Sequence, residues 1–427
     1  MIGAQAVATL AARQGGRANG GGFGAVEWVT VRMDDVTLQD NLAEGGGAGA
    51  NAADAERNTG TGRVGLGGGA VLVSPSSIQA TNPSVRHNTS RGGRGADSAA
   101  VSGTQAGEGG FAFGGGVLVN NATGSLGIPA IVIPVGIRQV EFVGNRSFGG
   151  EAGAGPVPPD GRGAGGLAQG GALEFDGLCE TRLVAVRFVG NSALAADGKS
   201  AAGGALINPY GRSEPGQTAT LQIQNSLFRG NRAVGGDDAA DVLYRQTTGG
   251  AFYNFGLGTV VSGSRLEGNK AIGGDDTGSG HLGSALGGAV YSEASADPSI
   301  AIVNTTFADN SALGGRRGGG QSIAEPSSGE AHGGALYAVN GPTTVNGGAF
   351  VGNRAVVRAP GEHTAGGGAI EIAPVTADYV NYLGMTGVRF ASNTAASRTA
   401  AARGGAVAFN GTAFTDDGST FSGNAAR

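Results

Sequence analysis

Residues Phe188 to Asn231 read FVGNSALAADGKSAAGGALINPYGRSEPGQTATLQIQNSLFRGN, a segment that opens and closes on one phrase: aromatic, any residue, small residue, asparagine. Between the two copies lies a Gly-Gly pair at Gly203, followed by the apolar run Ala205-Leu206-Ile207. Outward from this segment the phrase returns at Phe142 to Asn145, Leu266 to Asn269, Phe307 to Asn310, Phe350 to Asn353, Phe390 to Asn393 and Phe421 to Asn424. Weaker early copies end at Asn41 and Asn88. The glycine phrase recurs at Gly68, Gly170, Gly249, Gly287, Gly333, Gly367 and Gly404, with a variant at Gly115, and from Gly68 onward the two phrases alternate. Such self-similarity marks a repeat fold, in which each unit buries its apolar face on the next.

A period of roughly 40 residues suits propeller blades and solenoid coils alike. Each unit offers two or three convincing strands, whereas a blade needs four joined by hairpins. The reading is therefore all-β: a single-stranded parallel β-helix of about ten coils with long Gly-rich loops, β-propeller being the alternative. One continuous domain is expected over residues 1–427, with residues 1–18 as an N-terminal cap. Stacked coils place equivalent residues about 4.8 Å apart. That predicts an aromatic ladder of Phe142, Phe188, Phe228, Leu266, Phe307, Phe350, Phe390 and Phe421. It also predicts an amide ladder of Asn41, Asn88, Asn145, Asn191, Asn231, Asn269, Asn310, Asn353, Asn393 and Asn424, buried and hydrogen-bonded coil to coil.

The phrases resemble the GGA[IVL] and FxxN repeats of the chlamydial polymorphic outer membrane proteins and related β-helix surface proteins, over nearly the whole chain. The resemblance implies a right-handed coil and an extracellular, adhesive or surface-display role, often as an exported passenger. Handedness comes from that resemblance, not from spacing.

Composition narrows the function classes. Glycine supplies 87 residues without a three-residue period and proline only 14, which excludes collagen. Hydrophobic residues at 40% still allow a dry core. A net charge of −5, with no basic stripe evident along the chain, argues against nucleic acid as a partner. Cys179 is alone, so no intrachain disulfide forms. No run approaches the apolar length of a transmembrane helix, and MIGAQAVATLAAR lacks the form of an export signal, which leaves another export route or an excerpt of a longer surface protein.

Length variation concentrates between each ladder asparagine and the next glycine pair, so segments such as 42–66, 89–113, 146–168 and 311–331 are expected to leave one edge of the rod. Asp237 and Asp238, and Asp275 and Asp276, take the same phase in consecutive repeats, and Arg316 and Arg317 follow one repeat later. A solvated charge ladder is the leading reading, a calcium site built from the four carboxylates the next. His281, shortly after Asp276, lacks the coil-to-coil spacing of a polygalacturonase site. His87, His332 and His363 read as exposed turn residues, and the sequons at Asn88 and Asn145 fall on ladder positions expected to be buried. No catalytic residue is assigned. The expected function is a non-enzymatic surface scaffold or adhesin, with end-to-end assembly in view and a cell-surface protein or glycan as partner. A carbohydrate-active β-helix enzyme, a polysaccharide lyase or hydrolase, is the alternative.

Overall fold

A computed structural model describes residues 5–7, 18–26, 29–48, 62–97, 106–121, 132–154, 165–208, 219–238, 246–256, 258–277, 282–293, 300–317, 329–361, 363–374, 381–398 and 400–427. Every regular element among them is a β-strand. Each coil contributes five strands, not the two or three expected. In one coil they are Ala201–Ala202, Leu206–Asn208, Thr220–Gln224, Leu227–Arg229 and Arg232–Val234. Strands of two or three residues are too short to show a two-residue hydrophobic alternation, which hid them from the sequence reading.

Equivalent strands of successive coils pair in parallel and form five sheets, here I to V in coil order, with ten strands in I to IV and eleven in V. The chain is thus a right-handed parallel β-helix of about ten coils, the hand that parallel crossovers adopt. The all-parallel pairing excludes propeller blades, whose strands are antiparallel. Register follows the repeat phrases: Phe188 lies beside Phe228, and Leu206 beside Phe252. The strand Gln5–Val7, within the segment read as a cap, pairs with Leu42–Glu44 in sheet V.

The interior has two compartments. Sheets II, III and IV enclose the large side chains, including Phe175, Phe188, Phe228, Phe252, Leu221 and Ile223. Each such burial is worth about 1.5–3 kcal/mol. Sheets V and I close on one another through small residues: Ala193 and Ala233 meet Ala168 and Ala201, Ala271 and Ala312 meet Ala285, and Ala355 and Ala395 meet Ala331 and Ala365. Alanine brings the two backbones close, so this corner is the narrow end of the cross-section.

The glycine pair turns the chain from sheet I to sheet II. Gly203 has φ +58°, open to glycine at no steric cost. At Gly204 a Cβ would lie 2.2 Å from the Gly250 carbonyl oxygen in the next coil. The first glycine meets a conformational need and the second a packing need.

The longer stretches outside the described residues fall at two places in the strand order. One, between sheets V and I, is the expected edge and carries residues 49–61, 98–105, 155–164 and 318–328. The other lies between sheets II and III and carries 122–131, 209–218, 294–299 and 375–380. The four segments expected at one edge, 42–66, 89–113, 146–168 and 311–331, all run from a sheet V strand to a sheet I strand.

Candidate functional site

The amide ladder occupies the turn from sheet IV to sheet V. Asn88, Asn145, Asn191, Asn231, Asn269, Asn310, Asn353 and Asn393 are fully buried and Asn41 is 1% exposed, while Asn424 is only partly buried. The Asn269 Oδ1 accepts from the backbone N–H of Asn231 at 3.0 Å and from its Nδ2 at 2.9 Å. In turn, the Asn269 Nδ2 donates to the Phe228 carbonyl and to the Asn310 Oδ1, both at 2.9 Å. All four hydrogen-bonding positions of the amide are thereby occupied. The pattern repeats from Asn88 to Asn393, so the sequon asparagines Asn88 and Asn145 have no free amide to modify.

Aromatic stacking is discontinuous. Phe142, Phe188 and Phe228 stack with ring centroids 4.8 and 4.6 Å apart. Leu266 then interrupts the column, and Phe228 tilts against Phe252 of sheet II at 5.8 Å. A second stack runs Phe307, Phe350, Phe390 and Phe421. Phe421, counted with the core column, is 50% exposed.

Beyond the turn into sheet V lies a feature the sequence did not announce. The outgoing and returning arms of successive V-to-I loops alternate in one zigzag of backbone hydrogen bonds. Arg63 N–H donates to Gly46 O, Gly93 to Arg63, Gly110 to Gly93, Gly150 to Gly110, Gly166 to Gly150, and Ala196 to Gly166. The same weave continues where Gly283 donates to Gly274 and Gly315 to Gly283. A Cβ on Gly93, Gly110, Gly150 or Gly166 would sit within 2.2 Å of a neighbouring carbonyl oxygen. Only glycine permits such backbone-on-backbone packing, as at the collagen axis. Glycine abundance at this edge is thus a requirement of rigid loop stems.

The acid pairs sit on these stems. Asp237 accepts from the Asp275 N–H and Asp275 from the Arg316 N–H, each at 2.7 Å. The Arg358 guanidinium also reaches Asp275 at 3.2 Å. Asp238 accepts from the Thr277 N–H at 2.7 Å and from its hydroxyl. Buried Asp276 pairs with Arg317 at 3.7 Å rather than with Arg316. Burial raises the Asp237 carboxyl above its usual range, against the Asp275 hydrogen bond, and the Asp275, Asp197 and Asp238 charges add to the rise. These oxygens are engaged by N–H groups, a hydroxyl and guanidinium nitrogens of neighbouring coils. No group of three or more metal-ligating side chains gathers among the described residues.

Two histidines are placed differently from the expectation of exposed turns. His363 is fully buried. His332 lies between Glu371 at 2.8 Å and Glu330 at 3.4 Å. Burial opposes the charged ring, but the hydrogen bonds and charges of the two glutamates prevail and raise its pKa to about 10. Glu371 is 39 residues away in sequence and arrives by stacking, which is why spacing concealed the cluster. His87 is exposed, as expected, and His281 lies outside the described residues. Burial and the Asp176 charge push the Cys179 thiol up to about 12, consistent with an inert structural side chain.

Comparison with protein families, with curated proteins and with solved structures finds no match for this chain.

Proposed function

We propose that the chain is a non-enzymatic extracellular surface scaffold of the polymorphic outer membrane protein type, a rigid rod that displays loops for adhesion. The observation that carries this reading is the glycine weave: the loops leave the rod on stems welded to one another by backbone hydrogen bonds. A weave of this kind presents variable segments at fixed spacing along an edge, the arrangement a multivalent adhesive surface uses. Its partner on this reading is a cell-surface protein or glycan, and end-to-end association of rods would extend the display. The acids nearest the loops are engaged by neighbouring coils, which favours a scaffold over a hydrolase or lyase.

The test replaces residues 49–61, 98–105, 155–164 and 318–328 by short Gly-Ser links. Beads coated with either protein are then scored for attachment to cells. Retained strand content with lost attachment is the expected result. Equal attachment by both proteins, or release of sugar fragments from acidic polysaccharides by the parent, overturns the reading.

A further inference from the structure

Sheet V carries a column of residues, one from each coil, that the linear sequence disperses. Immediately after the ladder asparagines, the register aligns Leu42, Thr89, Arg146, Ser192, Arg232, Lys270, Ser311, Arg354, Thr394 and Ala425. Between the end members Leu42 and Ala425, each of the eight bears a hydroxyl or a cation, and of these Ser192 is buried. Arg146, Arg232, Lys270 and Arg354 are exposed, and none has an acidic partner among the described residues. The nearby acids of sheet IV are engaged elsewhere: Glu141 holds Arg86 and Arg187, and Glu267 holds Arg229 and Arg265. Two positions further along the strands runs a half-buried apolar row, Phe148, Leu194, Val234, Ile272, Leu313 and Val356. A chain with net charge −5 therefore presents a local basic line.

We infer that this column binds a linear acidic polysaccharide laid along the rod axis, its carboxylate or sulfate groups meeting the cations and its ring faces resting on the apolar row. Coils repeat about every 4.8 Å, close to the advance of one sugar in an extended chain. Cations one or two coils apart then meet acidic groups on successive or alternate sugars. Guanidinium groups pair with planar carboxylates and with sulfate oxygens through two donors at once, and the partly exposed hydroxyls of Thr89, Ser311 and Thr394 suit sugar hydroxyls. The single file of charge distinguishes this partner from a membrane, which would reward a broad basic face. Single-stranded nucleic acid would require a stacking platform, and the apolar row holds one aromatic ring, Phe148. This inference rests on the scaffold reading, to which it adds a partner class, but it places binding on the coil body and not in the loops.

The experiment measures binding of the full chain to immobilised polygalacturonate, heparin and neutral dextran, to phosphatidylserine vesicles and to a single-stranded oligonucleotide. Saturable binding to polygalacturonate or heparin, weakened by salt, is expected, and the stronger of the two identifies carboxylate or sulfate as the recognised group. Each of Arg232→Gln, Lys270→Gln and Arg354→Gln should weaken it on the order of fivefold, as for basic residues at an anionic surface. Arg182→Gln on sheet III should leave it unchanged. Circular dichroism checks the fold, and if one variant fails to fold, the other two and the salt dependence of the parent decide. The loop-shortened protein should bind the polymer as the parent does, so loss of adhesion and loss of polymer binding separate the two proposals. Absence of polymer binding, equal binding of dextran, preference for vesicles or oligonucleotide, or indifference to the three substitutions overturns the inference.

Discussion

Asn269→Leu tests the amide ladder at its centre. The change removes the acceptor that satisfies both the Asn231 backbone N–H and one Asn231 Nδ2 hydrogen. It also removes the donor held by the Phe228 carbonyl and the Asn310 Oδ1. Two buried donors are left without partners, each at about 1–3 kcal/mol. The Asn310 Oδ1 keeps its bond from the residue 269 backbone N–H, so the acceptor side loses less. Burial of the leucine side chain returns about 1.5–3 kcal/mol of transfer free energy, and the narrow turn limits how much of that is realised. The expected net destabilisation is about 2–4 kcal/mol. Urea unfolding followed by circular dichroism measures it, and hydrogen exchange at residues 228–234 and 266–272 locates it, because a solenoid can open locally. Asn346→Leu is the control, since Asn346 is exposed on sheet III. A midpoint for Asn269→Leu within about 0.5 kcal/mol of that control would refute the claim that a satisfied amide is what each coil requires at this position.

Gly204→Ala should cost about 3 kcal/mol or more, because its Cβ would meet the Gly250 carbonyl oxygen and the Arg232 backbone, whereas Gly24→Ala, with open space at its Cβ, should be nearly neutral; comparison of urea midpoints decides. His332 has a folded pKa of about 10 against an ordinary value near 6.5, so its stabilisation is complete below pH about 6.5 and is lost as pH rises through about 10. The stability gap between the parent and His332→Gln should close over that interval, and a gap constant from pH about 6.5 to about 10 would show that the two glutamates do not hold the charged ring. Calcium should leave the melting temperature of the parent unchanged relative to chelator, because Asp237, Asp238, Asp275 and Asp276 already face N–H groups or guanidinium groups; a calcium-dependent rise that Asp238→Asn with Asp276→Asn abolishes would restore a cation site.

Repetition made the fold legible. A repeated phrase in a stacked structure must place like on like, so ten asparagines at one phase already specified an amide column, and the alternating glycine phrase located the turn between sheets I and II. Strand number was not legible, because strands such as Ala201–Ala202 are shorter than the pattern that betrays a strand. The identity of neighbours across coils also stayed hidden wherever insertions differ in length. Glu371 reaches His332 and Arg358 reaches Asp275 through register alone. Glycine in the V-to-I segments read as loop composition, and only the tertiary structure revealed the weave that demands it, since the carbonyl a Cβ would strike belongs to another coil. The chain's own chemistry determined what stacks, because identical side chains at a constant phase satisfy one another. The three-dimensional coil decided what meets across unequal loops, because distance along the axis is set by strand pairing and not by the number of residues between.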